Sequence, residues 1–331
     1  MEIRKVQRTG KSTLIVSLPK KWAKENEIES GSLLYISQNH KGELLLSLPN
    51  ESETERIAKL DIGSKCGEPL IRDVISCYIA GYRTIEISSQ QMTSMQKRDL
   101  HSIVNKLIGP EILEETINKV VIYDLLSSEE LKPDRALKRM KNMTRSMIQD
   151  AISTLIKRNK ELAMDVIQRD NDVDRLNLLI AREFSETLRS RSLKQENISP
   201  IIFFNYMLAA RNLEHMADHA SEIAEIASKI DYDLPKEIVD ELSKFGLIFA
   251  NLMEDCISIL LHPDTDKANQ LIDKTVKIKA ESLIIAGSFS DKCKDGILIQ
   301  LLAARSIERI LDHIKNIAEL AINLHNAALE S

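Results

Sequence analysis

The stretch LAARNLEHMADHASEIAE (residues 208–225) returns as LAARSIERILDHIKNIAE (residues 302–319), with ten of eighteen positions identical at a constant separation of 94. Agreement of that density at one fixed offset is the mark of a duplicated structural unit. The segment before each copy repeats as well, LLIAREF (178–184) against LIIAGSF (283–289), at an offset of 105. A longer loop around Ser190–Pro200 in the first copy takes up the difference. From Pro133 onward almost no glycine or proline interrupts the apolar periodicity, which predicts six helices near 134–158, 160–190, 200–230, 235–261, 264–287 and 294–329. Residues 131–232 and 233–331 therefore read as two homologous three-helix bundles.

The repeat carries carboxylates at helical spacing. Glu214 and Asp218 are four apart, so they share one helix face about 5–6 Å from each other. Asp170 and Asp174 repeat the spacing on the preceding helix. Like charges so close are unfavourable unless a cation sits between them, and a carboxylate set without cysteine favours hard or intermediate metals such as Mg, Mn or Fe. A plainer reading stands beside this one. Leu213, Met216, Ala217, Ala220, Ile223 and Ala224 form the apolar stripe, which puts Glu214, Asp218, Glu222 and Glu225 on an outward, solvated face. There Arg211 and Glu214 would form a surface pair worth about 0.3–0.5 kcal/mol. His215, His219 and His313 invite a metal reading too, yet His219 and His313 lie about 100° round the helix from the acids, as helix-packing histidines do.

The second half differs from the first. At the repeat offset Asp170 becomes Thr275 and Asp174 becomes Lys279. Glu308 and Asp312 remain as weaker candidates, and Lys279 supplies a cation to neutralise them. One competent site, in the first half, is the expectation. A di-iron oxidase would need Glu-x-x-His on paired inward helices. Neither Glu214 nor Glu308 has histidine three residues on, so the sequence argues against an enzyme.

Composition narrows the class further. The 331 residues are 43% hydrophobic but only 4% aromatic, which favours helices over a large sheet. No apolar run approaches the length of a membrane span, so no membrane insertion and a cytoplasmic location are expected. Cys66, Cys77, Cys256 and Cys293 are widely spaced with no C-x-x-C, as reduced thiols are. The net charge is −5, unevenly placed. Residues 1–24 hold seven Lys and Arg against Glu2 alone, a charge of +6, leaving −11 on the rest. A basic head on an acidic body points to a polyanion partner for the head.

That head contains Gly10-Lys11-Ser12-Thr13, the tail of a phosphate-binding loop. The full loop needs a glycine five residues before Gly10, where Lys5 stands, and it must open a helix. Here the apolar run Leu14–Leu18 follows directly and reads as strand. Pro19 opens a short helix, Gly31 turns the chain, and strands at 32–37 and 43–48 flank a hairpin at Asn39–Gly42. A fifty-residue β, β, α, β, β unit is too small for a good core of its own, so pairing with a second copy is expected. Residues 51–130 alternate strands at 58–63, 84–88 and 119–126 with helices at 69–80 and 94–108. This predicts a small βαβαβ unit that serves as a rigid spacer or a dimerisation block.

Two resemblances follow from these residues. STLIVSLPKKWAKENEIESGSLLYIS resembles the SpoVT/AbrB family, in which an apolar strand, Leu-Pro, a basic short helix, an I-x-x-G turn and a second strand recur. It implies a dimeric swapped-hairpin β-barrel that binds DNA, with Arg4, Lys5, Arg8 and Lys11 at phosphates or bases. Arg211/Glu214/Asp218/His219 and Arg305/Glu308/Asp312/His313 carry a doubled R-x-x-E-x-x-x-D-H run that is similar to the PhoU family, regulators of phosphate uptake. It implies that Asp170, Asp174, Glu214 and Asp218 hold a divalent or iron/zinc-type metal ion. Together the two resemble the archaeal type of phosphate-uptake regulator: a mainly α protein with an AbrB-like head (1–50), a small α/β segment (51–130) and a PhoU-like body. The implied function is a phosphate-responsive transcriptional regulator acting as a homodimer. The alternative is an adaptor for a phosphate transporter or signalling kinase.

Overall fold

The computed structural model describes residues 3–38, 42–48, 56–126, 133–189, 200–230, 232–289 and 297–328. The chain forms two compact units, Met1–Thr54 and Glu55–Ser331. The turn residues Asn39–Lys41, the loop from Ser190 to Ser199 and Cys293 lie outside the described residues.

The first unit has the expected order. β1 (Gln7–Thr9) pairs antiparallel with β2 (Thr13–Ile15), α1 (Lys20–Glu25) follows Pro19, and β3 (Tyr35–Gln38) pairs antiparallel with β4 (Leu44–Ser47). Gly10 (φ +64°) makes the turn between β1 and β2. The Gly-Lys-Ser-Thr segment therefore closes a hairpin and leads into a strand, the reverse of a phosphate loop's strand-to-helix passage. None of the described residues of this unit is buried. Leu14, Leu33, Ile36 and Leu44 are each at least 64% exposed. Two separate two-stranded ribbons with that much uncovered apolar surface are marginal in water.

The second unit opens with an α/β layer: β5 (Ile57–Asp61), α2 (Glu68–Ile79), β6 (Thr84–Ser88), α3 (Ser94–Asn105), β7 (Pro110–Glu115) and β8 (Lys119–Asp124). The sheet order is β5-β6-β8-β7, with β5 and β6 parallel and the rest antiparallel. The predicted βαβαβ pattern is thus corrected to βαβαββ, and the mixed sheet gains the strand 110–115. Its sequence, PEILEE, shows little alternation because the register shifts between Ile112 and Glu114, and as an edge it can start with Pro and carry acids that discourage further pairing. Thr93 and Gln96 form a reciprocal capping box at the start of α3 (Gln96 N to Thr93 Oγ1 3.2 Å, Thr93 N to Gln96 Oε1 2.9 Å). Leu70, Val74, Tyr78, Ile87, Leu100 and Ile122 fill the core between helices and sheet.

Six long helices follow: α4 (Pro133–Lys157), α5 (Lys160–Arg189), α6 (Pro200–Lys229), α7 (Lys236–Leu261), α8 (Thr265–Phe289) and α9 (Ile297–Ala328). Their ends fall within three residues of those read from periodicity. α4–α6 and α7–α9 are the two repeats, and they share one continuous core. The repeat helices α6 and α9 pack on each other with a telling register. Ser306 Oγ donates to Glu222 Oε2 (3.0 Å), and Asn316 Nδ2 donates to Asn212 Oδ1 (3.1 Å). Adding 94 to 212 and 222 gives 306 and 316, so each contact is the other with its partners exchanged. That exchange is the signature of an internal two-fold. His219 and His313, equivalent in the repeat, stack at 5.7 Å where the two helices cross. His313 also bonds Asn212 Oδ1 through Nδ1 (2.9 Å). Burial, with His215 and His219 alongside, lowers its pKa to about 4. The motif histidines are thus packing residues.

The α/β layer is docked on α5 and nowhere near free. Arg182 Nη1 donates to the carbonyls of Tyr78 (2.8 Å) and Tyr82 (3.1 Å), and Nη2 pairs with Asp124 (2.7 Å) and Glu186 (3.0 Å). Its guanidinium also lies 4.9 Å from the centre of the Tyr78 ring. Arg175 Nη2 donates to Leu107 O (3.3 Å). Within the layer Gly109 (φ +101°) leaves room for Asp124, the partner of Arg182, because a side chain there would run into Asp124 and Leu126.

Candidate metal centre

α5 and α6 lie side by side and bring the four acids of the first half together. One ligand oxygen each from Asp170, Asp174 and Asp218 lie within 4.8 Å of one another, and so do ligand atoms of Glu214, His215 and Asp218. Asp218 belongs to both groups and joins them. The outward, solvated face that was the plainer reading holds for Glu222 and Glu225, which are exposed, and is corrected for Glu214. The Glu214 side chain is only 13% exposed, because the α5 helix covers it. Helical phase located the acids relative to their own apolar stripe, but not relative to the neighbouring helix.

Asp170 Oδ1 and Glu214 Oε2 are buried and accept no hydrogen bond. Glu214 Oε1 takes one from Arg211 (3.2 Å), while His215 Nδ1 stands 3.0 Å from Glu214 Oε2 and 3.6 Å from Asp218 Oδ2. Buried carboxylate oxygens without donors are costly, and the cost appears in the proton affinities. Burial, then the charges of Asp174, Asp218 and Glu214, raise Asp170 to about 7. Burial and Asp218, opposed by Arg211, raise Glu214 to about 7 as well. Asp174 is raised by burial and Asp218, against Lys106 and Arg211. Four carboxylates, one imidazole and two undonated oxygens fit a hard or intermediate divalent cation. His215 is the ligand candidate that spacing alone did not place. Its signal was the Glu-His-x-x-Asp run, which puts it three residues before Asp218 on the same face.

The second half is arranged otherwise. Lys279 Nζ holds both oxygens of Asp312 (2.6 and 2.8 Å). Thr275 is buried and its hydroxyl donates to Ile272 O of its own helix (2.7 Å). Glu308 is half-buried, and among the described residues neither it nor Asp312 joins a cluster of three ligand groups. In the first unit Arg4, Lys5, Arg8 and Lys11 are all exposed: Arg8 on β1, Lys11 in the Gly10 turn, and Arg4 and Lys5 just before β1.

A pair of three-helix bundles related by an internal two-fold, with an acid-x-x-x-acid pair on adjacent helices of one bundle, defines a duplicated helical class with a carboxylate site. The chain belongs to the PhoU domain family, whose model matches residues 137–227 and 242–321, just over half the chain. Residues 7–54 match the model of antidote-toxin recognition MazE, bacterial antitoxin, so the head is of the AbrB/MazE-like type. A phosphate-specific transport system accessory protein PhoU homolog of Pseudomonas putida is 26% identical over 220 residues, 63% of this chain and 85% of the relative. The phosphate-specific transport system accessory protein PhoU of Escherichia coli is 23% identical over 54% of this chain and 76% of its own length. The crystal structure of PhoU from Pseudomonas aeruginosa shares the fold, with a TM-score of 0.52, 23% identity and coverage of 59% of this chain and 96% of that one. Among the described residues no helix is long and apolar enough to cross a membrane.

Proposed function

We propose that this protein is a cytoplasmic, phosphate-responsive transcriptional regulator of phosphate uptake and phosphate homeostasis, without catalytic activity. One observation carries the reading: a basic AbrB/MazE-like head and a PhoU-domain body occur in one chain. The head's uncovered apolar strands are completed by a second copy, which sets Arg4, Lys5, Arg8 and Lys11 of two chains along a duplex. Asp170, Asp174, Glu214 and Asp218, with His215, hold a divalent metal ion in the first bundle. When bound, the metal neutralises the carboxylates and offers a positive centre to a phosphate anion, which the acidic body would otherwise repel.

The test is binding of the full chain to the DNA upstream of its own coding sequence, followed by fluorescence anisotropy over a salt series. Affinity is expected to fall steeply with salt, because each phosphate contact releases counterions. The triple variant Arg4→Glu, Lys5→Glu, Arg8→Glu is expected to weaken binding on the order of 100-fold or more, by reversing those contacts on both copies. Salt-independent binding, or unchanged affinity in the variant, rejects the reading. A second reading is an adaptor that does not touch DNA, and the relatives, accessory proteins of phosphate-specific transport, favour it. Absence of any DNA binding together with retention on a phosphate transporter would decide for it.

A further inference from the structure

The two halves of the body are an internal comparison, because the same contact is built from different residues in each. Offsets of 105 and 94 carry Asp174 onto Lys279 and Asp218 onto Asp312. Both pairs do meet. Asp174 and Asp218 oppose each other as two acids, with ligand oxygens inside 4.8 Å. At the equivalent place Lys279 and Asp312 form a two-pronged ion pair at 2.6 and 2.8 Å. The neighbouring changes agree. Asp170 is replaced by Thr275, whose hydroxyl is spent on its own helix. Arg309, one helical turn before Asp312, adds a second positive charge at 3.9 Å from it. Where the first half leaves carboxylate oxygens without donors, the second supplies donors from the chain.

We propose that Lys279 is a built-in cation that fills the second-half counterpart of the carboxylate site, so that each chain takes metal in its first half only. This rests on the metal reading of the first half. Its consequence is a one-sided body. The second bundle is held permanently in a cation-satisfied state, while the first alternates between empty and filled. The responsive half is also the one wired to the α/β layer. Arg175 and Arg182, which dock that layer on α5, fall on Ala280 and Gly287 in the repeat. The second half thus keeps Glu308 and Asp312 but lacks counterparts of both the α5 acids and the docking arginines.

The experiment is equilibrium dialysis of the full chain against Mn²⁺ with elemental analysis, for wild type, Asp218→Asn, Asp312→Asn and Lys279→Asp. Wild type and Asp312→Asn are expected to hold about one equivalent, Asp218→Asn to lose it, and Lys279→Asp to gain about one more, since coupled site and ligand charge set occupancy. Lys279→Asp should also melt lower than wild type in chelator and recover when Mn²⁺ is added. Lys279→Met, which adds no charge, should melt lower than wild type irrespective of metal. Two equivalents in wild type, one of them removed by Asp312→Asn, overturn the built-in cation and leave the first-half reading intact. A Lys279→Asp chain that gains no metal, or a Lys279→Met chain that melts like wild type, overturns it equally. No metal in wild type overturns the first-half reading, and this inference with it.

Discussion

Replacing Arg182 with Met is expected to destabilise the 55–331 unit by about 3–5 kcal/mol, the usual penalty for removing one partner of a buried ion pair. The side chain of Arg182 is 5% exposed and that of Asp124 6%, so water cannot replace the lost bonds. The substitution strips donors from two carboxylates and two carbonyls at once and removes the cation from the face of Tyr78. Urea denaturation measures the loss. Hydrogen exchange locates it: protection should fall first at residues 78–82 and 124, around the docking seam, while α7 and α9 keep theirs. Arg182→Lys is expected to recover only part of the stability, because an ammonium cannot reach four acceptors in the plane that a guanidinium does. A change below about 1 kcal/mol, the size of a surface pair, would show that the α/β layer is not pinned there.

Asp170→Asn should act in opposite directions on stability and on metal binding. In the folded chain Asp170 and Glu214 bind their protons up to about 7, whereas ordinary values are 3.8 and 4.5. Between those limits the folded state holds more protons than the unfolded chain. Stability in chelator therefore falls as pH rises from about 4 to about 7 and levels above that. Asn at 170 removes one buried charge from the cluster. The variant should match wild type below about pH 4, where Asp170 is neutral in both the folded and the unfolded chain, and exceed it at pH 8 by on the order of 2 kcal/mol, half the full linkage value after discounting for solvent screening. The same change deletes a ligand, so Mn²⁺ affinity should drop on the order of 100-fold. Thermal melts in chelator at the two pH values and metal titration at pH 8 read both effects. A variant less stable than wild type at pH 8 would mean that the carboxylates are satisfied by the fold and are not waiting for a cation. Opposed effects of this kind mark a site kept for binding at the expense of stability.

Much of this was legible in the residues. The duplication, the six helices and the AbrB-like order of the head came from identities at a fixed offset, from apolar periodicity and from Pro19, Gly10 and Gly31. Each of these is a local property of the chain. Lys279 was marked by its place opposite Asp174 in the repeat. Arg182 was not singled out, though a charged residue directly after Leu178-Leu179-Ile180-Ala181, with glycine at its repeat position, was the available signal. β7 stayed hidden because the register shift between Ile112 and Glu114 breaks the alternation that a half-buried strand otherwise shows.

The sequence by itself determined the modules, their periodicities and which acids share a helix turn, because spacing along one helix fixes which side chains stand together. Only the tertiary structure decided that α5 covers Glu214, that His219 and His313 meet on the internal two-fold, and that α5 holds the α/β layer through Arg175 and Arg182. The reason is that burial and charge pairing depend on what a neighbouring helix brings to the same place. A carboxylate four residues from another is a surface feature on a lone helix. It becomes a site only when a second helix removes the water.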